Sequence, residues 1–172
     1  MSNQLKMRKT VYFIMGVSGT GKTTIGQAWA KILDIPFYDG DDYHPTTNVE
    51  KMTSGKPLND SDRQEWLLAL NNLALMQRDG AVIACSALKQ KYRETLKMRM
   101  EGQVMFIFLQ ASFKTIKSRL QHRKGHFMPL SLLESQFATL EPPTAPEAIT
   151  VSVEDDVETV LTQLSQQLKT LD

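Results

Sequence analysis

A chain of 172 residues with 41% hydrophobic and 23% charged residues is the size and make-up of one globular domain, large enough to bury about 70% of the surface its unfolded form exposes. Its 20 Lys and Arg against 19 Asp and Glu leave a net charge of +1, so no global field gathers nucleic acid or an anionic membrane, and an anionic ligand must be held by local groups. The lone Cys85 excludes an intrachain disulfide. With a polar, basic start and no apolar signal core after it, the expected compartment is the cytoplasm. Apolar runs such as Val104–Leu109 fall far short of the ~20 residues of a bilayer span, so no membrane segment is expected.

In chain order, Val11–Met15 (VYFIM) is an apolar run without alternation, the pattern of a strand buried on both faces of a parallel sheet. Thr23–Leu33 follows with Ile25, Ala28, Trp29, Ile32 and Leu33 at helical spacing, stopped by Asp34 and Pro36. Pro36–Asp39, Ala81–Ser86, Val104–Leu109 and Ile149–Val153 read as further strands. Helical patterns over Asp60–Arg78, Gln90–Met100, Phe113–His122 and Val157–Leu171 lie between and after them. Asp60 is a candidate cap for the first of these. The alternation predicts an α/β domain spanning 1–172 with a five-stranded, mainly parallel sheet and helices on both faces. Two insertions interrupt it, at about 41–56 and 119–130, where loops carry function.

Gly16-Val17-Ser18-Gly19-Thr20-Gly21-Lys22-Thr23 satisfies G-x-x-x-x-G-K-[ST] between a predicted strand and a predicted helix. Gly16, Gly19 and Gly21, with Ser18 and Thr20, let the backbone wrap a triphosphate at a helix start. Lys22 reaches the outer phosphates, and the Thr23 hydroxyl suits Mg²⁺. The expected cofactors are therefore ATP and Mg²⁺. No Asn-Lys-x-Asp or Asp-x-x-Gly sequence supports a Ras-like GTPase. Neither Ala81–Ser86 nor Val104–Leu109 ends in the Asp of an ordinary Walker B strand, so the acidic groups must come from elsewhere.

They are available in Asp39-Gly40-Asp41-Asp42. On an extended segment the carboxylates at 39 and 41 share a side, which assigns Asp39 to a Mg²⁺-bound water and Asp41 to the proton of an attacking hydroxyl. The competing reading is an acidic turn in water. His44 and Arg63 suit a polyol, and Lys89 and Arg93, one helical turn apart beyond the third strand, suit a substrate anion. Cys85 reads as a small core residue.

Arg119, His122, Arg123, Lys124 and His126 cluster around Gly125. A closing lid at about 119–137 would exclude water, with Arg123 neutralising transition-state charge, Arg119 stacking on adenine and His126 facing the substrate. The rival, a nucleic-acid patch, lacks interleaved aromatics and a basic surround.

GVSGTGKT at 16–23, DGDDYHP at 39–45, NVEKM at 48–52, GKPLNDSDRQEWL at 55–67, CSALKQKYR at 85–93, RKGHFM at 123–128 and SQFATLE at 135–141 together resemble the bacterial gluconate kinases, within the shikimate-kinase-like P-loop kinases. The resemblance implies a three-layer fold with a mobile lid, transfer of the ATP γ-phosphate to the 6-hydroxyl of D-gluconate, and a homodimer. Residue chemistry alone also admits a kinase for shikimate or a nucleoside monophosphate, or an ATP-binding regulator that has lost catalysis.

Overall fold

The five apolar segments become five strands: β1 (Val11–Met15), β2 (Phe37–Asp39), β3 (Ala81–Ala84), β4 (Val104–Gln110) and β5 (Ala148–Ser152). They form one sheet in the order β2-β3-β1-β4-β5 with every pairing parallel. Val11 lies opposite Ala81 on one side and Val104 on the other, which makes β1 central. The computed structural model describes residues 9–125 and 128–171.

Seven helices among the described residues pack around this sheet: α1 (Lys22–Leu33), α2 (Thr46–Thr53), α3 (Asp60–Met76), α4 (Gln90–Leu96), α5 (Phe113–Gln121), α6 (Leu130–Thr139) and α7 (Val157–Lys169). Because successive strand residues point to opposite faces, β1 feeds two cores. Val11, Phe13 and Met15 join Trp66, Leu67 and Leu70 of α3 and Leu96 of α4, with Phe13 stacked on Phe106 at 5.4 Å. Ile14 on the other face joins Ile25 and Trp29 of α1 and Val160 and Leu164 of α7. A chain segment covered by helices on both sides has no solvated face, which is why VYFIM carries no polar alternation. A smaller cluster of Val17, Leu88, Ile116 and Leu133 lies beyond the carboxyl end of β1.

One helix, α2, falls within a predicted insertion, and another, α6, follows directly on the second. In α2 only Asn48 is buried, so no apolar stripe announces it; Pro45 provides its N-cap. In α6 the buried residues are the adjacent pair Leu132 and Leu133, too few to set a period. At the start of α3 the cap is Asn59, in a reciprocal box with Asp62, and not Asp60. The strand at 81 ends at Ala84 and not at Ser86, since Ser86 leaves the ladder and its carbonyl accepts from the Gly16 N–H at 3.2 Å.

One close approach sets the height of the acidic turn above the sheet. A Cβ on Gly40 would meet the Ala84 carbonyl oxygen at 2.3 Å, and the Gly40 carbonyl accepts the indole N–H of the buried Trp66 at 2.8 Å. Replacing Gly40 by Ala forces backbone against backbone. We expect a cost of about 2 kcal/mol or more, read as a melting-temperature fall of roughly 5 °C or more; an unchanged melting temperature would mean that the turn moves freely.

Candidate active site

The loop Gly16–Thr23 leaves β1 where the strand order reverses, with β3 on one side and β4 on the other. That crevice is where ligands of open α/β sheets sit. The loop is tied down internally: the Thr20 hydroxyl, buried, donates to the Val17 carbonyl at 2.9 Å. Thr20 thus closes the loop with its hydroxyl and retains only its backbone N–H for a phosphate. Gly21 takes φ +90° ahead of α1, a left-handed conformation that favours glycine. Gly19 faces Ile116 and Leu120, so a side chain there would crowd α5.

Lys22 opens α1, and its ammonium donates to the carbonyls of Gly16 at 3.1 Å and Val17 at 3.0 Å. Burial lowers its pKa from the ordinary value, Asp41, Cys85 and Asp39 oppose that shift, and Arg123 adds to it. Lys22, Asp41 and Arg123 therefore share one electrostatic neighbourhood, although Arg123 is exposed on the loop between α5 and α6.

Thr23 and Asp39 meet directly, the threonine hydroxyl donating to Oδ2 of Asp39 at 3.0 Å. The other oxygen of Asp39 accepts the Asp41 N–H at 3.0 Å, capping a 3-10 turn over Gly40–Tyr43. The extended geometry expected through Asp41 thus stops at Asp39, and Asp41 is aimed by the turn. A hydroxyl beside a carboxylate at the phosphate-loop end is a donor set that fits Mg²⁺ held mainly by phosphate oxygens and water. Among the described residues no group of three or more His, Cys, Asp or Glu forms an all-protein metal cage.

The crevice walls raise the Asp41 pKa by desolvation; Lys22 opposes this, and Asp39 and Asp42 reinforce it. Its side chain is 82% exposed, so water screens the push and only its upward direction matters. The Cys85 thiol is pushed up to about 12 by burial, in keeping with an inert core residue.

His44 lies flat on Trp66, ring centroids 4.1 Å apart at 17°, and its side chain is 5% exposed. The amide nitrogen of buried Asn48 donates to the Asp62 carbonyl at 2.8 Å and faces Nδ1 of His44 at 3.3 Å. A donor there makes Nδ1 the acceptor and leaves the proton on Nε2, 4.0 Å from the Asp41 carboxylate. Burial, then Arg63, pushes the His44 pKa down to about 4.

Arg63 donates to the Leu58 carbonyl and to the Tyr92 hydroxyl and lies over the Tyr92 ring at 5.3 Å. Lys89 lies over the same ring at 5.7 Å and pairs with Asp60 at 3.1 Å. Asp60 also accepts from Lys91 and from the Tyr92 hydroxyl; hydrogen bonds from Lys91, Tyr92 and Lys89 hold its carboxyl well below the usual range.

Arg93 has a different place from the one its position suggests. It is 1% exposed, and it donates to Glu147 at 2.9 Å, to the Ala87 carbonyl at 2.8 Å and to the Glu141 carbonyl at 3.1 Å. A guanidinium so enclosed braces the segment before β5 and does not present itself to a substrate anion. Arg119 donates to the Val153 carbonyl just past β5, which fastens α5 to that turn. His126 lies outside the described residues. Ser18 is engaged by Gln136 of α6 through both its N–H and its hydroxyl. Gln136, Asn48 and Tyr92 escaped the sequence reading, because an amide or a phenol carries no motif of its own and becomes functional only through its partner.

A phosphate-binding loop at the switch point of a parallel sheet, with carboxylates beside it and a cluster of cationic side chains around Tyr92, defines a P-loop kinase of small molecules. The shikimate kinase family model matches residues 18–166, and the chain belongs to that family as an ATP-dependent kinase. Within it, the chain belongs to the gluconokinases. It is 45% identical to the thermoresistant gluconokinase of Escherichia coli K12, over 92% of this chain and 93% of that protein. It is 43% identical to the gluconokinase of Gluconobacter oxydans, over 98% and 97%. A crystal structure of a gluconokinase from Sinorhizobium meliloti superposes with a TM-score of 0.85 at 38% identity, covering 96% of this chain and 98% of that one. Shikimate kinase from Bacteroides thetaiotaomicron, at 19% identity and a TM-score of 0.64, shares the fold.

The depressed pKa of His44 has a stability consequence. The folded group binds its proton less readily than the unfolded one, so its contribution is fully present above pH 6.5 and is lost as pH falls from about 6.5 to about 4. Raised Asp41 acts in the opposite sense, and low-lying Asp60 contributes only below that window. The melting temperature of the protein should therefore drop by several degrees between pH 7 and pH 4.5, and that drop should shrink in His44→Gln. Equal drops in both proteins would remove His44 as the cause.

Proposed function

We propose that this protein is a gluconokinase that transfers the γ-phosphoryl group of ATP, with Mg²⁺, to the 6-hydroxyl of D-gluconate, giving 6-phospho-D-gluconate and ADP. The observation that carries the reading is a phosphate-binding loop with Lys22 set beside an acidic turn at the carboxyl end of the sheet, Asp39 accepting from Thr23 and Asp41 lying 4.0 Å from His44. Gluconokinase relatives that match this chain over nearly its whole length support the choice of acceptor.

In this reading Asp41 accepts the proton of the 6-hydroxyl as the oxygen attacks the γ-phosphorus. The new O–P bond forms in line with the breaking bond to the β,γ-bridging oxygen, whose electron pair leaves with ADP. Lys22 neutralises the outer phosphates, and Arg123 brings a second positive charge from the lid. Mg²⁺ on the triphosphate would supply further charge neutralisation, held by the Thr23 hydroxyl and, through water, by Asp39. The gluconate carboxylate falls to Arg63 and Lys89, since Arg93 is enclosed, and its hydroxyl row to Asp41 and to the Nε2–H of His44. Arg119 bounds the adenine side together with the turn after Val153.

The protein acts as a single domain over 1–172. Of the lid expected at about 119–137, the α6 part packs into the fold through Leu133, and α5 ahead of it packs through Ile116. Among the described residues no helix is long and apolar enough to cross a membrane. The net charge of +1 offers nucleic acid no basic footprint, and we read the enzyme as cytoplasmic. We also read it as a homodimer, which light scattering would report as about twice the 19.5 kDa chain mass; a mass equal to one chain would refute that point alone.

The deciding experiment is ADP release from purified protein with MgATP against D-gluconate, shikimate, AMP and no acceptor, with the product checked by mass. Release that depends on gluconate, with a product heavier by one phosphoryl group, is expected. Lys22→Ala and Asp41→Asn should each lower kcat at least about 100-fold in folded protein, and Lys89→Ala should chiefly raise the KM for gluconate. Release with shikimate or AMP instead would keep the kinase and discard the acceptor; ATP binding without transfer to any of them would make the protein a regulator.

A further inference from the structure

Ser18, third residue of the phosphate-binding loop, is held by a side chain 118 residues away. Its N–H donates to Oε1 of Gln136 at 2.7 Å, and Nε2 of Gln136 donates to its hydroxyl oxygen at 3.0 Å. A carboxamide is the side chain suited to this pair in both directions, because it presents one acceptor and one donor side by side. Accepting from Gln136 leaves the serine hydroxyl with its single proton, so the contact turns Ser18 outward as a hydrogen-bond donor. The neighbouring Thr20 hydroxyl donates to the Val17 carbonyl and is turned into the loop.

The helix carrying Gln136 is not free to drift. Leu133, one turn earlier, is buried with Val17, Leu88 and Ile116, and Phe137 meets Phe113 of α5 edge to face at 5.3 Å. Just beyond α6 the Glu141 N–H donates to the Leu88 carbonyl at 2.8 Å, and its carboxylate accepts the N–H of Gln90 at the start of α4 at 3.0 Å. The stretch 133–141 is therefore fastened to the phosphate-binding loop at one end and to the Lys89 end of α4 at the other.

We propose that Gln136 is a positioning residue for phosphoryl transfer: its carboxamide fixes Ser18 as a donor and holds the first half of the phosphate-binding loop in register with α6. It touches neither reacting atom. Its effect falls on the ATP side and on turnover, leaving the gluconate side unmoved.

The test uses the full-length protein and Gln136→Met, Ser18→Ala and the double variant. The readouts are kcat, the KM for gluconate, the Kd for MgATP by calorimetry, which needs no acceptor, and the melting temperature. In Gln136→Met we expect kcat about 10-fold lower and ATP binding several-fold weaker, with the gluconate KM within about twofold of the parent and the melting temperature within a few degrees. Ser18→Ala should move the same constants in the same direction, and the double variant should be no worse than the more damaging single one, because the two residues act as one unit. Unchanged kcat and ATP affinity in Gln136→Met, or losses that multiply in the double variant, would overturn the assignment. Should Gln136→Met fail to fold, Ser18→Ala decides alone: parental kcat and ATP affinity would overturn it. The kcat arm rests on the gluconokinase reading. A parent protein that transfers nothing to gluconate would sink that reading, and the ATP affinities would still judge Gln136.

Discussion

The site depends on the enclosure of β1. A parallel strand paired on both edges and covered on both faces has nowhere to move, so the loop leaving its carboxyl end starts from a fixed point. Val11, Phe13, Ile14 and Met15 are all fully buried, and the Gly16 N–H is bonded to Ser86 of the next connection. Phosphate-binding N–H groups gain their strength from being held in place before the ligand arrives, since no reorganisation is then needed during the reaction. Burial of these four residues is in this sense the first step of the chemistry.

The wall of His44, Arg63 and Lys89 is governed by α3. Its capping box sets where the helix begins, and one and two turns later Arg63 and Trp66 take opposite tasks. Trp66, buried, carries two contacts that matter outside the core: the indole N–H fixes the Gly40 carbonyl beneath the acidic turn, and the ring supports His44. Arg63 reaches Tyr92, which anchors Asp60 together with Lys89 and Lys91. Cations that would repel one another are held side by side through the shared carboxylate and phenol. One helix thus positions the acidic turn and the cluster of Arg63, Tyr92, Asp60 and Lys89 at once.

Arg93 and Gln136 illustrate where reading residues in line loses its force. Both stand in segments that resemble gluconokinase blocks. The arginine, whose charge invites a ligand role, is a brace between Glu147, Ala87 and Glu141. The glutamine, which invites none, grips the phosphate-binding loop. The partners of Arg93 in the later segment lie about fifty residues along the chain and those of Gln136 more than a hundred, and no local pattern encodes such a meeting. The helix at Thr46–Thr53 was likewise illegible, because a single buried asparagine carries no period.

Taken by itself the amino-acid order determined the elements whose burial is periodic or continuous, the phosphate-binding loop, the acidic turn and the family. Each depends on neighbours in the chain, through alternation, helical spacing or backbone conformations that glycine permits. Tertiary structure alone decided the strand order, the tautomer of His44, the enclosure of Arg93 and the grip of Gln136 on Ser18. Those depend on which distant donors and acceptors become neighbours once water is removed, and a buried polar group must take the partners that packing supplies.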